Sequence, residues 1–491
     1  MFTKILIANR GEIAVRIIQT CREMGIQTIA VYEAADRESL HVRLADEAVE
    51  IEAGSFLNPD TFLKVAADYG ADAVHPGYGF LAEIPDFIRA CEQAGIAFIG
   101  TPAAVLNSTH PKLNALERAH EDGIRTVTHS PVSYDEADDA AIKAEAERLG
   151  FPLVIKSCSG GRGPGERLAR TAAKLEESVR AAQAEAFAFF GSRRIYLEKA
   201  IIPAHQVSVQ ILADKHGSVI HLGEREGSLL LGNRKLIEES PAPSLNQPQR
   251  EQMWQSAVQI ARLFKFEGAG TVEFLVDRDG NYYFTEIKAR IQTEHPITEL
   301  RTRLDLVREQ IRIAAGEPLS VTQDDIQLNG WAMLCRINAE DPQNRFMPSP
   351  GRLERVRLPG GPNVRVDTYV DSGSEVPGTY DPLIAKLSVW GSDRETCLRR
   401  LQRALSEFLI DGTPTNLSYL MRIVHAPAFI RGEYSTNAPT KLMREDTPKA
   451  TLRDLAAIAA VLYLRRSLVS QPITPTRVQS GWHRDSRRLP Q

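Results

Sequence analysis

Cysteine is scarce and scattered in this chain. Cys21, Cys91, Cys158, Cys335 and Cys397 stand far apart, are odd in number and never form a CxxC pair. That spacing argues against a disulfide framework or a thiolate metal site, and free thiols in a reducing compartment are expected. Long apolar runs are missing as well. The longest, LAAIAAVLYL at 455–464, falls far short of the roughly 20 residues a spanning helix needs. The opening MFTKILIANRGE carries a short strand-like apolar run instead of the core of a secretory leader. A cytoplasmic location with no membrane partner is expected. There is no surplus of positive charge: 59 Lys and Arg face 63 Asp and Glu, for a net charge of −4, so nucleic acid is not an expected partner. What is there is ordinary globular material, 43% hydrophobic and 25% charged over 491 residues, enough for two to four domains.

The hydrophobic pattern divides the chain. KILIANRGEIAVRIIQTCREMGIQTIAVY reads strand, turn, helix, strand, and similar units follow to about residue 100. This predicts an open α/β domain over 1–100. Asn9-Arg10-Gly11-Glu12 falls at the carboxyl end of its first strand, where such folds bind ligands; it is not a GxGxxG motif. A helical linker is expected over 101–127, and a smaller unit with a Gly-rich loop, CSGGRGPGE, over 128–200. Successive strands follow over 201–330, with DRDGN (277–281) as a hairpin turn. Mixed strands and helices run over 331–443, and 444–491 holds one amphipathic helix before a Pro- and Arg-rich end.

Three groups of residues carry potential chemistry. Lys112 and Lys156 flank the smaller unit, and Lys156 precedes the Gly-rich loop. Such loops cradle phosphate with backbone N–H groups while a lysine supplies point charge; the plainer alternative is a solvated lysine beside a loop. Glu273 and Glu286 lie on neighbouring strands around DRDGN. Two carboxylates with nucleotide phosphates are a usual magnesium arrangement, against an exposed pair of acids that would repel. Arg290, Gln292, Glu294 and Arg336 add forked cations, an amide and a base, or else form a salt-bridged sheet face. If 282–294 is one strand, Glu286, Lys288, Arg290, Gln292 and Glu294 share a face. That puts the Lys288 ammonium beside a carboxylate suited to a metal.

KILIANRGEIAVRI, HPGYGFLAE, RIQTEHPITE, EQIRIAAGEPLS, CRINAEDP and YDPLIAKL together resemble biotin carboxylase, an ATP-grasp enzyme, from residue 1 to about 443. The resemblance implies an N-terminal open α/β domain, an ATP-grasp lid (128–200) and body (201–330), a biotin carboxylase C-terminal domain (331–443) and a C-terminal extension (444–491). It implies ATP with Mg²⁺ or Mn²⁺ as cofactors, with bicarbonate phosphorylated to carboxyphosphate and its carboxyl group passed on to biotin. Lys112 and Lys156 would hold phosphates with Gly160, Gly161 and Gly163, while Glu198 and Lys199 would lie at the adenine hinge. Glu273 and Glu286 would bind the metal. Lys235, Arg290 and Gln292 would hold bicarbonate, Glu294 would be its base, and Arg290 and Arg336 would stabilise carboxyphosphate and the biotin enolate. The chain has no Met-Lys-Met biotin site. A separate biotin carboxyl carrier protein and a carboxyltransferase subunit are therefore the expected partners within an acyl-CoA carboxylase, and the family's habit predicts a homodimer.

The departures from the family pattern cluster on the nucleotide side. Lys288 replaces an asparagine and Gln206 a histidine. Ile84 replaces an asparagine, Leu229–Leu231 stand where polar residues are usual, and Pro164 and Glu166 alter the phosphate loop. Two readings of different class follow. One is a working carboxylase with an altered nucleotide site; the other is a weak or inactive homologue serving as a structural or carrier-binding subunit.

Overall fold

The computed structural model of the chain describes residues 1–135, 138–158, 166–232, 234–438 and 449–469. Its N-terminal sheet has the order β3-β2-β1-β4-β5, with all strands parallel: β1 (Lys4–Ile7), β2 (Gln27–Tyr32), β3 (Glu47–Glu50), β4 (Ala73–His75) and β5 (Ala97–Phe98). A sheet covered on both faces needs consecutive apolar residues. Ile5 and Ile7 accordingly pack with Ile13 and Ile17 of the helix Gly11–Glu23, whereas Leu6 points to the opposite layer with Phe56 and Phe62. Gly11 has a φ of +67°, so the turn from β1 into that helix uses a conformation that glycine adopts without steric cost.

A small three-stranded antiparallel sheet, order β7-β6-β8, contains β6 (Leu153–Ser157), β7 (Arg167–Ala169) and β8 (Ile195–Lys199). It has its own core with the helices Asp139–Leu149 and Leu175–Phe190, built on Ile142, Ala146, Leu153, Ile155, Val179 and Leu197.

The largest sheet has eight antiparallel strands. Its first six, in spatial order, are β13 (Tyr282–Lys288), β12 (Gly268–Val276), β9 (His205–Ala213), β10 (Val219–Leu231), β11 (Arg234–Ser240) and β14 (Trp331–Asn338). Leu383–Gly391 and Val364–Thr368 complete it. One continuous sheet thus takes strands from both sides of residue 330, because β14 pairs directly with β11. The helix Gln247–Leu263 packs on this sheet through Met253, Ala257, Ile260 and Ala261. A capping box between Asn246 and Gln249 starts it, a device worth about 1 kcal/mol.

Residues 449–469 form a separate helix. The sequence pattern predicts an amphipathic one, yet Leu455, Ile458, Val461, Leu462, Tyr463 and Leu464 are all exposed. Ten consecutive apolar residues cannot be confined to one face at 3.6 residues per turn.

Candidate active site

β12 and β13 pair with Glu273 opposite Glu286 and Thr271 opposite Lys288. The hairpin closes where Asp277 N–H donates to the Asn281 carbonyl at 2.9 Å. The two carboxylates therefore come from adjacent strands, as expected. The shared strand face stops at Lys288, and this corrects the alternation expected through Glu294. β13 lies at the sheet edge, so residues beyond it have no further strand to hold them. Ala289 N–H donates to Glu83 at 3.3 Å, and a turn leads into the helix His295–Thr302, with Pro296 in its first turn. A proline is tolerated there because its missing N–H would have no helical partner. The turn still delivers Gln292 and Glu294 inward, through a fold of the backbone instead of strand periodicity.

Glu294 lies between two cations from other strands. Lys235 of β11 donates to its Oε1, and Arg336 of β14 donates to its Oε2 at 2.9 Å. The same cations reach Glu238, each at 3.2 Å. Burial alone would raise the Glu294 carboxyl, but Lys235 and Arg336 outweigh it and hold it well below the usual range. Burial disfavours the Lys235 ammonium, yet Glu294 and Glu238 raise it on balance. Glu294 is thus an ionised carboxylate in a fixed orientation. Gln292 donates to Glu273 at 2.8 Å and accepts from Arg225 at 2.8 Å. The fully buried Arg225 also donates to Gln210, Thr271 and Thr298. Arg290 is tied to Glu83 at 2.9 Å, and that pairing outweighs burial to keep the Glu83 carboxyl low. Around these groups is a cavity of about 230 Å³, lined also by Glu286, Lys288, Leu230 and Gln206.

An adjoining cavity of about 470 Å³ shares Lys235, Arg290 and Arg336. It extends along Asn9-Arg10-Gly11-Glu12, the turn marked in the sequence. Arg10 there pairs with Asp36 and lies over the Tyr380 ring at 4.1 Å.

Of the residues expected to hold phosphate, Lys112 begins the helix Lys112–Glu121 and is buried. Burial lowers its pKa, while Glu286 acts in the opposite sense. Lys156 Nζ is 2.6 Å from Glu198, which also accepts from the Tyr196 hydroxyl at 2.9 Å. Lys199 donates to the Gly150 and Phe151 carbonyls at 2.8 and 2.9 Å, so its ammonium anchors the turn before β6. Gly160, Gly161 and Gly163, together with Pro164, lie outside the described residues.

Both carboxylates expected to hold a metal already have partners. Glu273 accepts from Gln292 on Oε1 and from Gln206 on Oε2. Glu286 pairs with Lys288 at 3.0 Å. Burial opposes the Lys288 charge, but Glu286, Glu273 and Glu83 raise its pKa and keep it cationic. No group of three or more His, Cys, Asp or Glu among the described residues is arranged to hold a metal. These donors fit an ion that arrives on nucleotide phosphates and takes one or two carboxylates, the habit of magnesium. They do not make an all-protein cage.

Sequence reasoning assigned no role to Glu83, Arg225 or Glu238. Glu83 stands inside HPGYGFLAE, but its partner Arg290 is 207 residues away. A charged residue within a strand that is otherwise buried was the available signal for Arg225 and Glu238.

Comparison with known proteins places the chain in a family. Residues 1–106 match the family described as biotin carboxylase, N-terminal domain. Residues 112–322 match the carbamoyl-phosphate synthase L chain, ATP binding domain, and 334–439 the biotin carboxylase C-terminal domain. A biotin carboxylase of Nostoc sp. is 47% identical over 440 residues, covering 89% of this chain and 98% of the relative. A propionyl-CoA carboxylase alpha chain of Ruegeria pomeroyi is 40% identical, covering 96% of this chain and 74% of the relative. The biotin carboxylase domain dimer of Hydrogenobacter thermophilus 2-oxoglutarate carboxylase, solved with MgADP, ADP and bicarbonate, superposes with a TM-score of 0.88 at 40% identity. That match covers 91% of this chain and 100% of the domain. The α/β architecture, with its ATP-grasp lid and body, is that of these enzymes, and the chain belongs to the biotin carboxylase family.

Proposed function

We propose that this protein is an active biotin carboxylase that uses ATP and bicarbonate to carboxylate biotin on a separate carrier, as a subunit of an acyl-CoA carboxylase. The observation that carries the reading is Glu294 clasped by Lys235 and Arg336, with Gln292 and Arg290 on the same cavity. In the proposed cycle Glu294 removes the bicarbonate proton as the anion attacks the γ-phosphorus, forming carboxyphosphate and ADP. Lys235, Arg290 and Gln292 orient the anion, while Arg336 and Arg290 neutralise charge developing on the carboxyphosphate and biotin oxygens. Lys112 and Lys156 offset phosphate charge. Glu198 fixes Lys156, and Lys199 holds the turn before β6. A divalent ion, Mg²⁺ or Mn²⁺, would be held by Glu273 and Glu286 and would supply Lewis-acid charge neutralisation of the phosphates.

Support for the acyl-CoA carboxylase assignment is the coverage of 96% of this chain by the propionyl-CoA carboxylase relative, against 89% by the Nostoc biotin carboxylase. The reading places biotin on a separate carrier protein and its transfer on a carboxyltransferase partner, the arrangement expected of an acyl-CoA carboxylase subunit. A homodimer is part of the proposal, in line with the dimer of the Hydrogenobacter domain. So is a cytoplasmic location, in keeping with five unpaired cysteines. No described helix is long and apolar enough to cross a membrane.

ATP hydrolysis measured with and without bicarbonate, using free biotin as acceptor, tests the reading. Hydrolysis should depend on bicarbonate and rise with biotin. Nucleotide binding without any bicarbonate-dependent turnover would favour the inactive-homologue reading instead.

The proposed lid, 128–200, should open more readily than 201–330. Its small sheet has a separate core, and lids of this type exclude water from labile intermediates. Amide hydrogen exchange should show faster opening over 128–200, slowed by nucleotide. Equal protection of the two segments would refute the lid.

A further inference from the structure

Glu238 is the buried acid of this site that the proposed cycle leaves without a task. It sits on β11, three residues after Lys235, with its side chain fully buried. The groups facing it come from three directions. Lys235 Nζ lies 3.2 Å from Oε1 on its own strand, and Arg336 donates to Oε2 at 3.2 Å from β14. Glu294 meets it from the turn after β13, where both acids share Lys235 and Arg336 and come close enough for a hydrogen bond once one of them is protonated. Arg225 of β10 adds a further cation near Glu238, and Glu273 of β12 acts on both Arg225 and Lys235.

A hydrogen bond between two carboxyl groups needs a proton on one of them, because ionised carboxylates only accept. The environment decides which acid keeps it. Glu294 takes the stronger contacts with both cations and stays ionised, while burial and the Glu294 charge push Glu238 up to about 7. With Glu238 neutral, Lys235 and Arg336 face one negative group and retain one unit of net positive charge. Arg225 and Glu273 balance each other. A bicarbonate monoanion cancels that remaining charge. With Glu238 ionised the cluster is already neutral, and an incoming anion finds no surplus.

We propose that Glu238 is a positioning residue of the bicarbonate subsite: it holds a proton while the anion is bound, donates it in the hydrogen bond to Glu294, and so leaves the Lys235–Arg336 pair with the charge that attracts bicarbonate. The inference rests on the biotin carboxylase reading of the site. Its sign with pH is definite. Below the Glu238 titration the acid is neutral and bicarbonate affinity is constant. Above it, binding must first take up a proton, so affinity falls about tenfold per pH unit.

The half-saturating bicarbonate concentration in ATP hydrolysis should be measured from about pH 6 to 9, around the Glu238 titration, for the natural protein and Glu238→Gln. The natural protein should show a half-saturation constant that climbs above neutrality. In Glu238→Gln, whose amide is neutral at every pH and can still donate to Glu294, the climb should vanish. An equal slope in both proteins, or a flat profile in the natural one, would overturn the proposal. Calorimetry of bicarbonate binding to the natural protein with ADP, in two buffers of different ionisation enthalpy, gives a reading that needs neither turnover nor a folded variant. It should show net proton uptake near pH 8, and binding without proton uptake, or no binding, rejects the role of Glu238. Proton-linked binding without bicarbonate-dependent turnover in the natural protein would instead sink the catalytic reading and leave the Glu238 assignment standing.

Discussion

Glu294→Gln is expected to cut bicarbonate-dependent ATP turnover by about 10²–10⁴-fold, the usual cost of losing a general base, with nucleotide affinity nearly unchanged. The separation follows from the contacts. Glu294 bonds Lys235 and Arg336, whereas the proposed phosphate lysines, Lys112 and Lys156, interact with Glu286 and Glu198. The substitution also removes a negative charge that two buried cations share. Bicarbonate should therefore bind at least as tightly in the variant while kcat falls. Loss of an interaction specific to the transition state would show in kcat and not as weakened binding. Steady-state kinetics with nucleotide calorimetry checks both halves. Normal turnover would reduce Glu294 to a structural acid, and a parallel loss of nucleotide binding would mean that the site had collapsed.

Lys288→Asn should strengthen divalent-metal binding by about 10–100-fold, or roughly 1–3 kcal/mol. The ammonium lies 3.0 Å from Glu286 and is stabilised by Glu273 and Glu83 as well. Two unit charges about 4 Å apart interact by roughly 4 kcal/mol at an effective dielectric near 20, and desolvation and screening reduce the net effect. An incoming cation meets repulsion from Lys288 and a carboxylate already neutralised. Removing the charge frees Glu286 and supplies an amide oxygen as a further hard ligand. Titration of Mg²⁺ or Mn²⁺ in the presence of ADP measures the effect directly, and turnover should rise if metal occupancy limits it. Unchanged metal affinity would mean that Lys288 leaves Glu286 for a phosphate when nucleotide binds, along its flexible stem.

How far the site could be read in advance depended on the range of the interaction. The hairpin that opposes Glu273 to Glu286 was legible because its turn lies within five residues, Asp277 to Asn281. Strand periodicity from Glu286 to Glu294 was misleading. It holds only while a neighbouring strand enforces the extended backbone, and β13 ends at the sheet edge at Lys288. The amphipathic reading of 449–469 fell short for a related reason, since an apolar run longer than two turns covers every side of a helix.

By itself the sequence determined the open α/β N-terminal domain through Ile5, Leu6 and Ile7, the order of motifs, and the residue types that bring charge to one site. Those features depend on spacing within a few residues, which backbone geometry converts directly into strands, turns and helices. Only the tertiary structure decided how the charges pair. Lys235 meets Glu294 across 59 residues and Arg290 meets Glu83 across 207. Glu238 becomes a partner of Glu294 because β11 lies beside β14 and the turn after β13 folds over them. The register of distant strands sets those distances, and the cations that each buried carboxyl meets set how far burial can raise it. Both are properties of the assembled sheet, with no counterpart in the local order of residues.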